Sequence, residues 1–289
     1  MHDVAGDQQA LVNSAPTSEP CLGHGFGLRV EHYGEILRRG VRADLCEALT
    51  ENFMGRGGRP LAVLERVRRD VPITLHGVSL SIGGIEPLST AYLSELKQLC
   101  DRFAPLLVSD HLCFGGFGPH RAYDLWPLPF TEEAVLHVAA RVRRVQERLG
   151  RRICLENVSS YVEFRDSTLT EWQFLASVAV EADCWLLLDV NNVYVSALNH
   201  GFSAYEYLDA LPRERVAQFH LAGHRDCGSH LLDDHGSPVA SAVWELYRHA
   251  RRRFGARPTL IEWDENLPTL ERLEQECDTA REMERHALG

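Results

Sequence analysis

Along this chain, short apolar runs alternate with stretches in which apolar residues recur every three or four positions. The runs near 24–29, 43–50, 72–78, 105–110, 151–157, 184–190, 216–221 and 257–263 are apolar through most of their length, as expected of strands covered on both faces. Between them, Leu61–Arg69 and Ala91–Phe103 are amphipathic at helical spacing. So is Glu132–Leu149, where Thr131 followed by Glu132 and Glu133 predicts an N-cap with an acidic first turn. Thr170-Glu171 and Ser203 predict two further helix starts. Eight strands alternating with helices predict a parallel sheet, and eight is the number that closes a (β/α)8 TIM barrel. At 289 residues the chain suits one such unit, and no stretch rich in Pro, Gly or Ser divides it. Residues 21–289 are therefore expected to form a single catalytic barrel domain. Residues 1–20 lack periodicity and read as a flexible tail.

Six of the runs lead into a metal-type side chain. His76 follows ITL, His111 follows LLVSD, Glu156 follows ICL, Asp189 follows WLLL, His220 follows VAQF and Glu262 follows TLI. The gaps between them, 35, 45, 33, 31 and 42 residues, each correspond to about one barrel unit. Strands of such a barrel open at their C-terminal ends onto the active face, so the six would converge there. A histidine at such a place also suits a hydrogen-bonded core role. Glu156 and Asp189 suit that role poorly, because a carboxylate after an apolar run is costly to bury without a cation. The long loop from Ala222 to Pro238 adds His224, Asp233, Asp234 and His235, and Asp233 and His235 would face one side of an extended segment. Asn192 lies three residues after Asp189. The candidate metal set is thus His76, His111, Glu156, Asp189, Asn192, His220, Asp233, His235 and Glu262. Mixed imidazole and carboxylate donors favour iron, zinc or manganese over calcium or magnesium. Glu156 and Glu262 could each bridge two ions, so the set has room for one to three.

Composition narrows the partners. A net charge of −11 argues against nucleic acid, which needs clustered Lys and Arg. The basic runs Arg141–Arg144 and Arg248–Arg253 lie on helical patterns and read as solvated helix faces. The eight cysteines include no CxxC pair and read as buried or isolated thiols in a reducing compartment. No apolar run is long enough to span a bilayer, and the first twenty residues lack an apolar signal core, so a cytoplasmic location and no membrane partner are expected.

In order, the metal set resembles that of the endonuclease IV-like and xylose isomerase-like TIM barrels. In endonuclease IV the residue three after the sixth-strand aspartate is histidine, whereas here it is Asn192. The phrases LRVEHY, TENFMGRGG, LHGVSLSIGG, VSDHL, DLWPLPFTEEA, LENVSSY, LLLDVNNVYVSALNHGF, QFHLAGH and LIEWD are similar to the multinuclear non-heme iron-dependent oxidative enzymes, also known as the DUF692 or UPF0276 family. The resemblance runs from about Gly23 to Leu267. It implies two or three iron ions, mixed-valent Fe(II)/Fe(III), with O2 as co-substrate. It further implies a ribosomally made precursor peptide with a leader as substrate, and a small leader-binding partner protein. Cysteine is the expected target (heterocycle formation, thioamide and oxazolone formation, or carbon excision), or else a C-terminal aspartate. On this reading His76, His111 and a bridging Glu156 hold one iron. Asp189, His220 and Glu262 complete a second, and Asn192, Asp233 and His235 hold a third.

Several other polar residues are candidates for substrate contact or for orienting ligands. Glu51 and Asn52 follow strand 2, and Asn157 and Ser159 follow Glu156 and could orient it. Asp110 precedes His111 and could accept its N–H, and His200 and His224 lie close to the set in sequence. Three rival readings remain at this level. A zinc phosphodiesterase of the endonuclease IV type fits the ligand types less well at Asn192 and in net charge. A sugar isomerase or epimerase relying on a catalytic lysine meets only Lys97, on a helical pattern. The third is a non-catalytic metal-binding protein.

Overall fold

All eight runs form strands: β1 (His24–Gly27), β2 (Leu45–Leu49), β3 (Ile73–Gly77), β4 (Val108–His111), β5 (Cys154–Glu156), β6 (Trp185–Asp189), β7 (Val216–Leu221) and β8 (Thr259–Ile261). Each pairs in parallel with its neighbours in chain order, and β8 closes onto β1 through the pairs His24–Thr259, Gly25–Leu260 and Phe26–Ile261. The computed structural model describes residues 23–288 apart from Arg56, Gly118 and Pro119, and leaves out the side chains of residues 117–124. The tail expected over 1–20, Cys21 and the side chain of His120 lie outside the described residues.

Helices α1 (Tyr33–Arg39), α2 (Arg59–Asp70), α3 (Thr90–Phe103), α4 (Glu132–Leu149), α5 (Glu171–Glu181), α6 (Val190–His200), α7 (Ala204–Ala210), α8 (Ser241–Phe254) and α9 (Leu270–Leu288) surround the barrel. The expected caps are in place. The side chain of Thr131 accepts the Ala134 N–H and that of Ser203 accepts the Glu206 N–H, while Thr170 and Gln173 form a reciprocal capping box. Outward strand residues and inward helix residues share one core that includes Ile36, Leu64, Leu96, Val142, Phe174, Leu246 and Leu273. Burying each such side chain contributes roughly 1.5–3 kcal/mol.

The two arginine runs are not wholly solvated. Arg141 and Arg251 are buried, the latter completely. Arg141 donates to the carbonyls of Ser81, Ile82 and Glu86, tying the loop after β3 to α4. Arg251 pairs with Glu284 of α9 at 2.6 Å and donates to the Arg257 carbonyl. An arginine at helical spacing looks the same in sequence whether its fork meets water or carbonyls.

Inside the barrel, side chains two residues apart share a face, so each candidate ligand has a neighbour one layer deeper. For His76, Glu156, Asp189 and His220 those neighbours are Thr74, Cys154, Leu187 and Gln218. Cys154, Trp185, Leu187 and Ala217 form a separate apolar plug inside the barrel. The β6–β7 pairing shifts register between Leu186 and Leu187, facing Val216 and Gln218, which leaves Ala217 as the extra residue and sets Asp189 opposite His220. The two long loops carry hairpins of their own, 114–117 with 120–126 and 225–226 with 231–232. Among the described residues no helix is long and apolar enough to cross a membrane. Cys227 is exposed, and the other six described cysteines are buried thiols outside any disulfide.

Candidate metal centre

Glu156 ends β5 and stands between three histidines. Its Oε2 lies 3.2 Å from His76 Nε2 and 3.4 Å from His111 Nε2, and its Oε1 lies 3.7 Å from His220 Nδ1. The rings of His76 and His111 meet edge to face with centroids 4.6 Å apart, and those of His76 and His220 at 5.2 Å. The protonation of the first two rings follows from what holds them. His111 Nδ1 is 3.1 Å from the Gly77 carbonyl, which can only accept, so Nδ1 carries the hydrogen. Ser109 donates to the Leu75 carbonyl, so its oxygen accepts from His76 Nδ1 at 2.8 Å. Both Nε2 atoms therefore aim lone pairs at a carboxylate oxygen. That contact is repulsive unless a proton or a metal cation lies between them.

A second cluster joins Glu156 to Asp189, His220 and Glu262, with His220 Nδ1 3.0 Å from Glu262 Oε2. A third surrounds His235. Its Nε2 lies 2.7 Å from Asp233 Oδ1, and its Nδ1 lies 3.2 Å from Asp264 Oδ2 and 3.5 Å from Glu262 Oε2. The segment is not extended there: His235 has φ 45°, a left-handed conformation rare for a side-chain-bearing residue. The turn, rather than strand alternation, brings Asp233 and His235 together. Asn192 lies on the first turn of α6, whose N-cap is Asp189, the Asn192 N–H donating to Asp189 Oδ1 at 2.6 Å. All nine candidates thus gather at one end of the barrel.

Several of their polar atoms are buried without a hydrogen-bond partner: Glu156 Oε2, Asp189 Oδ2 and Asn192 Oδ1. A buried polar atom left unmatched costs about 1–3 kcal/mol, and more when charged. Three on one set of residues is the pattern expected of a donor shell that cations complete. The electrostatics agree. Burial pushes the Asp189 carboxyl up to about 7 and the Glu156 carboxyl well above its ordinary range. Burial also pulls His111 down to about 3, with His76 adding to it. Burial acts against charge on His220 and Glu262 too, but their neighbours override it. Glu47, Glu262 and Glu156 raise His220 well above its usual value, and His220 and His235 hold Glu262 well below its own. The site thus keeps mutually paired charges and forces protons onto the acids left over. Metal ions bound by these residues would take the place of those protons. The donor chemistry fits iron, zinc or manganese.

The remaining candidates spread outward. Asn157 does not reach the Glu156 carboxylate; it brackets the Asp189 backbone with two 2.9 Å hydrogen bonds, and its carbonyl accepts from the Asn192 amide. Ser159 lies 3.3 Å from the Tyr161 hydroxyl instead of orienting Glu156. Asp110 accepts the His111 N–H at 2.8 Å and the Leu80 N–H, and faces the Tyr92 hydroxyl. Glu51 accepts from Tyr92 and from the Val78 N–H, while Asn52 is exposed on the same short turn. His224 sits 2.7 Å from Asn191, whose amide donates to Asp233. His200 contacts Ser160 and is farther out. Sequence reading missed Glu47, Asn191, Asp264 and Arg29, which pairs with Asp264. Glu47 was the visible one, an acid inside the apolar run LCEAL.

The sequence pattern of the RiPP precursor modification enzymes MbnB/TglH/ChrH matches residues 23–285. The chain belongs to the MbnB/TglH/ChrH family. This is the family to which the strand-end phrases pointed. A UPF0276 protein of Anaeromyxobacter sp. (strain Fw109-5) is 61% identical over 268 residues, 93% of this chain and 95% of the relative. Another UPF0276 protein, of Acaryochloris marina, is 53% identical over 258 residues, 89% and 93% of the two chains. Among solved structures, the zinc-bound IolI protein aligns with a TM-score of 0.61 at 12% identity, covering 92% of this chain and 99% of its own. Endonuclease IV from Thermus thermophilus aligns at 0.59 with 17% identity, over 93% and 99%. These two likenesses show that the MbnB/TglH/ChrH chain shares the TIM-barrel fold and speak to fold alone. Family membership makes it an enzyme acting on a precursor peptide.

Proposed function

We propose that this protein is an iron- and O2-dependent oxidase that modifies a ribosomally made precursor peptide, at cysteine or at a C-terminal aspartate. The observation that carries the metal part is the set of unmatched buried donor atoms on Glu156, Asp189 and Asn192. His76, His111 and Glu156 would hold one ion, and Glu156, Asp189, His220 and Glu262 a second. Asn192, Asp233 and His235 would hold a third. Iron held by these residues would supply a redox couple for oxidation of the peptide by O2. The chain's own contribution is geometric. Ser109 and Gly77 fix which nitrogen of His76 and His111 faces inward, and Asn157 locks the backbone that carries Asp189. The apolar plug closes the barrel beneath.

Two clefts of about 500 and 550 Å³ are lined by the loop after β5 and its neighbours. Trp126, Tyr161, Val162 and Phe164 along them keep 36–44% of their surface exposed, which suits an extended peptide chain. A small partner protein presenting the leader, and a reducing cytoplasm that keeps iron and thiols available, complete the reading. The test is co-expression with a small peptide gene from the same operon, with and without iron and oxygen. A defined mass change that needs both is expected. An unchanged peptide mass in the presence of iron-loaded enzyme and oxygen would overturn the assignment.

A further inference from the structure

Glu47 lies at the middle of β2, faces into the barrel and is 3% exposed. Its Oε2 accepts from the Thr74 hydroxyl at 2.8 Å and from the Gln218 amide at 2.9 Å. Its Oε1 lies 3.1 Å from Nε2 of His220, which is wholly buried. We propose that Glu47 is a positioning residue that fixes His220 as the tautomer with hydrogen on Nε2, so that His220 meets its ion through Nδ1 whereas His76 and His111 use Nε2. This rests on the metal-centre reading above.

Without metal the ring lies between two carboxylates, Glu47 beside Nε2 and Glu262 beside Nδ1, each of which can only accept. The Gln218 amide, 3.2 Å from Nε2, donates to Glu47 Oε2 and leaves the Glu47 Oε1 to the ring. An ion would replace the hydrogen on Nδ1, because that nitrogen faces the space shared by Glu262 Oε2, 3.0 Å away, and Glu156 Oε1, 3.7 Å away, while the hydrogen on Nε2 stays with Glu47. The other two rings are held from behind by neutral groups, the Ser109 hydroxyl and the Gly77 carbonyl. His220 alone of the three has a carboxylate there, and a carboxylate on the far N–H makes an imidazole a stronger donor to its metal. The ion held by His220 is therefore the most firmly bound of the cluster.

Zinc is the probe, because it is diamagnetic and redox-silent. In zinc-loaded protein labelled with ¹⁵N-histidine, nitrogen shifts should show His220 protonated at Nε2 and zinc-bound at Nδ1, with the opposite pattern at His76 and His111. Glu47→Gln removes the charge with little change of shape and should weaken the tightest zinc equivalent about 10–100-fold. Zinc on Nε2 of His220, or an unchanged tightest affinity in a folded Glu47→Gln protein, would overturn the proposal while leaving the metal centre standing. Wild-type protein that takes up no zinc would overturn both. Should the variant fail to fold, the wild-type nitrogen pattern decides alone.

Discussion

Replacing Glu156 by Gln should move the stability of the metal-free and metal-loaded protein in opposite directions. In the metal-free protein this carboxyl is 1% exposed and faces two imidazole lone pairs. Burial holds its proton affinity well above the ordinary range; His220 opposes the effect, and Glu262 and Asp189 reinforce it. An uncompensated buried carboxylate costs several kcal/mol, whereas an amide short of a partner costs about 1–3 kcal/mol. Glu156→Gln should therefore stabilise the metal-free protein by about 1–3 kcal/mol near pH 8, or roughly 2–8 °C in Tm. Because the folded state binds this proton more tightly than the unfolded chain, metal-free stability falls as pH rises from about 4.5 towards the raised value. The advantage of Gln is consequently absent near pH 4.5 and grows above it. With metal the order reverses. Each ion at a thousandfold excess over its Kd adds about 4 kcal/mol to the wild type, and the variant lacks the shared ligand of the first two clusters. Circular dichroism melts with chelator and with added Fe(II), at pH 5 and pH 8, give the four comparisons. A metal-free variant melting below wild type at pH 8, with equal metal-induced gains in both, would refute the reasoning.

The other expected outcomes are more local. Burial pushes Glu171 up to about 7 against the opposing hydrogen bond from Tyr207, so wild type loses stability between about pH 4.5 and 7. Glu171→Gln should melt higher than wild type at pH 8, by about 1–2 kcal/mol, and level with it at pH 5. Asn192→Ala and His235→Ala should each lose one metal equivalent by elemental analysis and retain the others; a full complement in both variants would remove them from the site. Arg251→Ala removes a buried guanidinium that pairs with Glu284 and donates to the Arg257 carbonyl, leaving Glu284 to His24 and the carbonyl to the Thr259 hydroxyl, and should cost about 3 kcal/mol in denaturant unfolding. A loss below 1 kcal/mol would show that the pair carries little of the α8–α9 packing.

The barrel was legible because burial on both faces writes parallel strands as unbroken apolar runs, and a polar residue closing such a run stands out. His76, Glu156 and Asp189 were readable for that reason. Caps such as Thr131 and Thr170 were readable because they depend on residues three positions away. What stayed hidden depends on which way a long side chain turns. Arg141 and Arg251 resemble solvated arginines until the carbonyls they reach are placed by other elements. Glu47 stands out as an acid inside an apolar run, but its role does not, since Thr74, Gln218 and His220 come from strands 27 to 173 residues away. Asn157 was recognised as supporting the site, but its target, the Asp189 backbone, follows from β5–β6 pairing and not from its own neighbours. Asp264 and Arg29 meet only because β8 closes onto β1.

The most direct test of the central claim is the number of ions that one chain holds in common. Protein reconstituted anaerobically with Fe(II), desalted and analysed for iron per chain, should retain two to three equivalents, while Glu156→Gln should fall to one or fewer. Less than one equivalent in the wild type, or an unchanged count in Glu156→Gln, would contradict a shared polynuclear centre at the strand ends.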